Sequence, residues 1–141
     1  MKPIYLLDTN VISEFCKPRP NQKLIKKVKE HEGHCAICST VWQESVFGCK
    51  RMPEGRKKDA VFASIQDVKK SYETIPYDDF AAQICGELQA LCQEEGHPCP
   101  NFDSQIAATA IANGMILITH NTSDFATLSS VSSLKVEDWW G

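Results

Sequence analysis

Apolar residues in this chain occur in two patterns. Short unbroken runs, Ile4 to Leu7, His34 to Cys38 and Met115 to Ile118, read as strands buried on both faces. Between them lie longer stretches with apolar residues at helical spacing. Val11, Ile12 and Phe15 predict a short helix after Asn10, ended by Pro18 and Pro20. Leu24, Ile25 and Val28 sit among lysines on a second, amphipathic helix. Ser39 or Thr40 is expected to cap a third helix, which carries Glu44. Val61, Phe62, Ile65 and Val68 form one stripe over residues 56–71. Glu73 to Pro76 predicts a short strand, and Asp78 or Asp79 caps a long helix through Glu94. Gly96 to Pro100 is a loop. Asp103 opens an alanine-rich helix that Gly114 stops. Leu134 to Val136 predicts a last, short edge strand. Such alternation implies an α/β fold, a mostly parallel sheet with helices on both faces. Ligands in such folds bind at the carboxyl ends of strands. Asp8 and Asn121 fall just past two of those ends.

Composition narrows this picture. The length of 141 residues suits one domain spanning 1–141, and a hydrophobic share of 43% is enough for a core. A net charge of −3 excludes a nucleic-acid binder that works through a global positive field. It does not exclude a nuclease, because acids gathered around a metal bias the count. No apolar run is long enough to span a membrane. Met1-Lys2-Pro3 runs directly into the first strand without a signal-peptide pattern. The seven cysteines are odd in number and scattered, so the expectation is a reduced, cytoplasmic chain with thiols packed as small hydrophobes. Cys35-x-x-Cys38 could form half a zinc site, but no second pair follows at suitable spacing.

The chemistry lies in the acids. Asp8, Glu44, Asp103 and Asp124 each stand at the edge of an apolar element. Taken singly each has a plain structural reading: Asp8 and Asp103 as helix caps, Glu44 as a solvated helix residue, Asp124 as a turn former. Several carboxylates converging without a base is unfavourable. A divalent cation relieves that repulsion, and hard oxygen ligands suit Mg²⁺ or Mn²⁺. The reaction this suggests is metal-assisted cleavage of a phosphodiester.

The order of the motifs resembles one family. Leu7-Asp8-Thr9-Asn10-Val11-Ile12-Ser13 comes first, then Ser39-Thr40-Val41 leading to Glu44. Gly96-His97-Pro98, Phe102-Asp103 and Ile106-Ala107-Ala108 follow. Thr119-His120-Asn121-Thr122-Ser123-Asp124-Phe125 and Val136-Glu137-Asp138-Trp139-Trp140 complete the series. Over essentially its whole length the chain resembles PIN-domain ribonucleases of the VapC toxin type. The resemblance implies a PIN-like fold and a metal site of Asp8, Glu44, Asp103 and an acid or amide after the last buried strand. It also implies Mg²⁺- or Mn²⁺-dependent endoribonuclease activity, with transfer RNA as a common substrate. A small VapB-like antitoxin and a homodimer are the implied partners. Two positions depart from the pattern: His120 stands where arginine or asparagine is common, and Ser45 follows Glu44 where an apolar residue is usual. Asp124 is preferred over Asn121 as the fourth ligand, because a carboxylate binds a hard cation better than an amide. Thr9, Asn10, Ser39, Thr119 and Asn121 would supply supporting hydroxyl and amide contacts.

An RNA substrate calls for positive charge. Lys50, Arg51, Arg56, Lys57 and Lys58 lie between two helices and could grip a phosphate backbone, or simply solubilise a loop. Lys26, Lys27 and Lys29 read as a solvated helix face, and His97 and His120 as structural. A haloacid-dehalogenase-type phosphatase needs an acid where Asn10 stands. A receiver domain needs an acidic pair after the first strand, and none is present. The alternatives that survive are a processing or flap-type nuclease without an antitoxin, and a catalytically silent PIN module.

Overall fold

The computed structural model describes residues 2–141. Its five strands are β1 (Tyr5–Leu7), β2 (Cys35–Cys38), β3 (Glu73–Ile75), β4 (Ile116–Ile118) and β5 (Val136–Glu137). They form one sheet in the order β3-β2-β1-β4-β5, and every pairing is parallel. The seven helices are α1 (Thr9–Phe15), α2 (Gln22–Glu30), α3 (Ser39–Lys50), α4 (Arg56–Ser71), α5 (Asp79–Glu94), α6 (Asn101–Ala112) and α7 (Ala126–Ser130). A 3₁₀ turn covers Thr122–Phe125.

The chain grows outward from β1 to β2 to β3, then crosses back to β4 and β5. Parallel crossovers are right-handed, so this reversal sends the helices to opposite faces. Accordingly α1, α3 and α4 pack on one another, while α5 packs on α6 and α7. Leu6, Leu7, Ala36, Ile37, Leu117 and Ile118 are completely or almost completely buried, which explains strands without alternation.

The elements follow the expected pattern, with local differences. Asp78 caps α5, its carboxylate accepting from the Ala81 N–H at 2.9 Å. Neither Ser39 nor Thr40 caps α3. Both lie inside the helix, and Cys38 occupies the cap without a side-chain bond. Their hydroxyls are engaged elsewhere: Ser39 Oγ donates to the Ile75 carbonyl and Thr40 Oγ1 to Gln105 Oε1. Helix α1 stops at Phe15, ahead of Pro18 and Pro20. Glu14 shapes the turn that follows, accepting from the Asn21 N–H at 2.9 Å and pairing with Lys17 at 2.8 Å. The last strand pairs at Val136 and Glu137, not from Leu134. Leu134 is buried in irregular backbone ahead of the strand, its carbonyl accepting from Ser129 Oγ at 2.8 Å. Gly114 has φ 63°, the left-handed conformation that lets the chain leave α6 and enter β4.

Leu117 is fully buried and pairs with Leu6 on one side and Val136 on the other. Leu117→Ala should lower the unfolding free energy by about 2–5 kcal/mol in urea titrations. A loss below about 1 kcal/mol would contradict its central place in the core.

Candidate functional site

Strand order reverses between β1 and β4, which opens a crevice at their carboxyl ends. Leu7 pairs with Ile118, so the residues just past them, Asp8 and Thr119, stand side by side. The Asp8 N–H donates to the Ile118 carbonyl at 2.9 Å, and the Thr119 N–H to the Glu137 carbonyl at 3.0 Å. Both side chains are buried, Asp8 at 6% exposure and Thr119 at 0%.

A buried carboxylate needs donors, and Asp8 has three. Its Oδ1 accepts from the Thr9 N–H at 2.8 Å. Its Oδ2 accepts from Thr119 Oγ1 at 2.8 Å and Asn10 Nδ2 at 3.2 Å. Thr119 Oγ1 itself accepts from Asn10 Nδ2 at 2.9 Å and the Asn121 N–H at 3.1 Å. One donor and two acceptor sites are all a hydroxyl offers, and Thr119 uses every one. Asn10 is oriented in turn by the His120 N–H, which donates to its Oδ1 at 3.2 Å. Thr9 reaches the other way, its Oγ1 donating to Glu44 Oε1 at 2.6 Å. Three residues at the start of α1 thus connect β1, β4 and α3.

Asp103 lies in the first turn of α6, and Asp124 in the exposed 3₁₀ turn after β4. Burial, then the charges of Asp8, Asp124 and Glu44, push Asp103 up to about 6. Asp8 is also raised. Burial is the main cause, and Glu44 and Asp124 add to it, against the bonds from Thr119 and Thr9. The four acids therefore share one electrostatic field. The ion pairs among the described residues are Lys17 with Glu14 and Lys58 with Glu54, His120 Nδ1 lies 3.1 Å from Asp138, and none of these relieves the four.

This donor set suits a hard divalent cation in one particular way. Among the described residues no three Asp, Glu, His or Cys side chains stand close enough to clasp an ion directly. Mg²⁺ commonly keeps several waters and takes one or two carboxylates, which asks less of the side chains than a full protein cage. Four uncompensated carboxylates, two with raised affinity for protons, fit that mode.

Of the supporting residues expected from sequence, Thr9, Asn10, Thr119 and Asn121 join this network. Ser39 points to β3 instead. Gln105 was not anticipated. It accepts from the buried Thr40 at 3.0 Å and ties the helix of Glu44 to the helix of Asp103. Only its place two residues after Asp103 could have signalled this. In the basic segment, Lys58 is held by Glu54 at 2.6 Å. Lys50 lies 4.2 Å from the Phe62 ring centre and Arg51 5.5 Å from that of Phe47. Arg56 and Lys57 are exposed at the start of α4.

Two apolar grooves flank the acids, and Thr9 and Glu44 border both. One, of about 940 Å³, is lined by Trp42, Val46, Phe47 and Phe102. The other, of about 350 Å³, is lined by Ile12, Cys16, Met52, Val61 and Ile65.

Two expectations follow from this geometry. Thr119→Val keeps the shape but removes the hydroxyl from three bonds, leaving buried partners unsatisfied. It should destabilise the metal-free protein by about 1–3 kcal/mol in thermal melts, and Thr119→Ser should restore most of that. An unchanged melt would show that the network does not hold the site together. Asp103 titrates near 6 in the fold against 3.8 for an ordinary aspartate, so between these values the folded chain holds a proton that the unfolded chain has lost. Its contribution to stability therefore falls as pH rises through that window. Water screens this partly exposed group, so the loss is on the order of 1 kcal/mol. Asp103→Asn should abolish that fall and be the more stable protein near neutral pH without metal. Equal pH profiles for the two proteins would refute the shift.

Comparison with known proteins places this geometry. The PIN domain family matches residues 5–130. The tRNA(fMet)-specific endonuclease VapC of Shigella flexneri is 29% identical over 137 residues, covering 96% of this chain and 97% of that protein. The toxin FitB of Neisseria gonorrhoeae is 27% identical over 124 residues, covering 85% of this chain and 89% of that protein. Among solved structures, VapBC2 from Rickettsia felis bound to a promoter DNA fragment superimposes with a TM-score of 0.83. Its identity is 25%, and the match covers 96% of this chain and 98% of that one. By family match over most of its length, the chain belongs to the PIN-domain family.

Proposed function

We propose that this chain is a VapC-type toxin: a divalent-metal-dependent endoribonuclease that hydrolyses RNA phosphodiester bonds and is neutralised by a VapB-like antitoxin. The carrying observation is the group of four carboxylates, without basic partners, at the crevice between β1 and β4. Asp8, Glu44, Asp103 and Asp124 are the residues that would hold Mg²⁺ or Mn²⁺. When bound, that ion supplies Lewis acidity and charge neutralisation at the scissile phosphate.

The protein's own part is to hold the carboxylates in place beforehand. Thr9, Asn10 and Thr119 fix the Asp8 carboxylate from both oxygens. Thr9 holds Glu44 toward it, and the Thr40–Gln105 bond keeps α3 in step with α6. Asp124 contributes charge that Asp8 and Asp103 both feel, while Asn121 is engaged through its backbone with Thr119 and Asp124. This favours Asp124 as the fourth ligand. Lys50, Arg51, Arg56 and Lys57 are the basic residues left to meet a phosphate backbone. The curated VapC and FitB relatives bear names of ribonucleases and toxins, and two are named for a transfer RNA, which makes transfer RNA the first substrate to try.

Inhibition follows from the same surface. The grooves beside Glu44 expose Phe47 at 65% and Phe102 at 40%, which suits an apolar segment of an antitoxin. An arginine or lysine on that segment would find the acids unpaired. The chain is proposed to act in the cytoplasm as one PIN domain over 1–141, and as a homodimer.

Purified protein freed of any partner should cut transfer RNA with Mg²⁺ or Mn²⁺ and stop in EDTA; full activity in EDTA refutes the metal. Asp8→Asn should abolish cleavage with the fold intact. Asp124→Asn should weaken Mn²⁺ binding more than Asn121→Ala, and the reverse order would move the ligand to Asn121. Expression of the chain alone should arrest growth. A soluble, folded and harmless product would remove the toxin reading.

A further inference from the structure

The chain has seven cysteines, and in the reduced structure all of them are free. Two form a pair. Cys99 Sγ lies 3.0 Å from Cys92 Sγ, the only sulfur–sulfur hydrogen bond among the described residues. The spacing comes from a turn. Cys92 lies in the last turn of α5, and the His97 N–H donates to the Cys92 carbonyl at 3.0 Å. The Gly96 N–H donates to Gln93 at 3.0 Å, with Gly96 at φ 76°, a conformation that a side chain would strain. The chain therefore doubles back over the helix end and sets Cys99 against Cys92.

Access is one-sided. Cys92 is fully buried, Cys99 is partly exposed, and every residue from Gln93 to Pro98 is exposed. An oxidant meets Cys99 first, and the exposed loop before it, Gln93 to Pro98, can give the small movement needed. The other five thiols differ: Cys35, Cys38, Cys49 and Cys85 are buried in the core, and Cys16 has no sulfur bonded to it.

We propose that Cys92 and Cys99 are an oxidation site that closes to an intramolecular disulfide in response to a peroxide or a thiol-specific oxidant. With hydrogen peroxide, Cys99 sulfur takes one peroxide oxygen as a sulfenic acid and water leaves. Cys92 sulfur then displaces that oxygen as a second water. Two thiols and one peroxide become one disulfide and two waters, two electrons passing from sulfur to oxygen. Burial and the neighbouring Cys92 push Cys99 up to about 12, so the step is slow with peroxide. Diamide, which takes the same two hydrogens to become its hydrazine, is the practical probe.

The bond reaches the acids through α6. Cys99 is followed by Pro100 at the cap of α6, and Asp103 sits in that helix's first turn, close enough for its charge to act on Cys99. Closing the sulfurs to a bond of about 2 Å draws the start of α6 toward α5. Displacements near 1 Å at a reacting centre lower rates by roughly a hundredfold. The oxidised protein should therefore cleave more slowly, and this arm alone rests on the ribonuclease reading.

The test treats the purified full chain with one equivalent of diamide. Titratable thiols in denaturant should fall by two, and non-reducing peptide mapping should join Cys92 to Cys99 and nothing else. The melting temperature should rise by roughly 5 °C through closure of the loop. Dithiothreitol should reverse all three changes, and Cys99→Ser should show none. Retention of every thiol, or a bond elsewhere or between chains, overturns the site. A mapped Cys92–Cys99 bond with unchanged cleavage overturns the coupling to α6. A reduced protein that cuts no RNA leaves the mapping decisive and places the failure in the ribonuclease reading.

Discussion

The structure depends on holding one carboxylate where water is scarce. Asp8 is nearly buried at the end of the central strand, where an unsatisfied charge would be strongly unfavourable. Its three hydrogen bonds come from two residues next to it in sequence and from one more than a hundred positions away. The local donors exist because α1 starts at once after β1, and the distant one because β4 lies parallel to β1 in register. Parallel pairing sets both strand ends at the same level, so a residue just past each can share one bond. An antiparallel partner would have brought a strand beginning there instead.

That arrangement stores repulsion. Asp103 is held near 6 by burial and by three like charges, and nothing basic among the described residues answers them. A protein selected for stability alone would place a lysine in the crevice. The lysines that form ion pairs among the described residues are committed elsewhere, Lys58 to Glu54 and Lys17 to Glu14. Surface pairs of this kind add little stability. The uncompensated field matters more: it makes the crevice receptive to a metal ion or to the cationic side chain of a partner.

Much of this was legible in the sequence, for physical reasons. The three runs without alternation could only be strands covered on both faces, and Ile4 to Leu7 and Met115 to Ile118 became the paired centre of the sheet. Asp8 stood out because a charge directly after such a run must be capping or functional, and in the fold it caps α1 at the mouth of the crevice. Caps were harder to read. Asp78 behaved as expected, yet Ser39 and Thr40 did not, because tertiary acceptors on Ile75 and Gln105 drew their hydroxyls away. The role of Gln105 and the single thiol pair among seven cysteines depend on contacts between elements distant or folded back in space. Composition and periodicity carry no trace of such contacts. The face of Glu44 was likewise undetermined, since Trp42, Val46 and Phe47 surround it on a helix exposed along one side.

That exposed side clarifies why Glu44 belongs on α3 and not on a strand. A carboxylate on a strand end would sit in the crevice with no surface beside it. On α3 it borders two apolar grooves at once, with Thr9 as the shared wall. A segment bound in either groove would lie beside Glu44, so apolar burial could supply the affinity while one cation supplies the inhibition. The two tasks need different chemistry. Burial is non-directional and tolerates sequence change in the partner. Charge pairing in a crevice is directional and does not. Placing them on adjacent faces of one helix lets a partner's grip change in strength while the contact that blocks the acids stays the same.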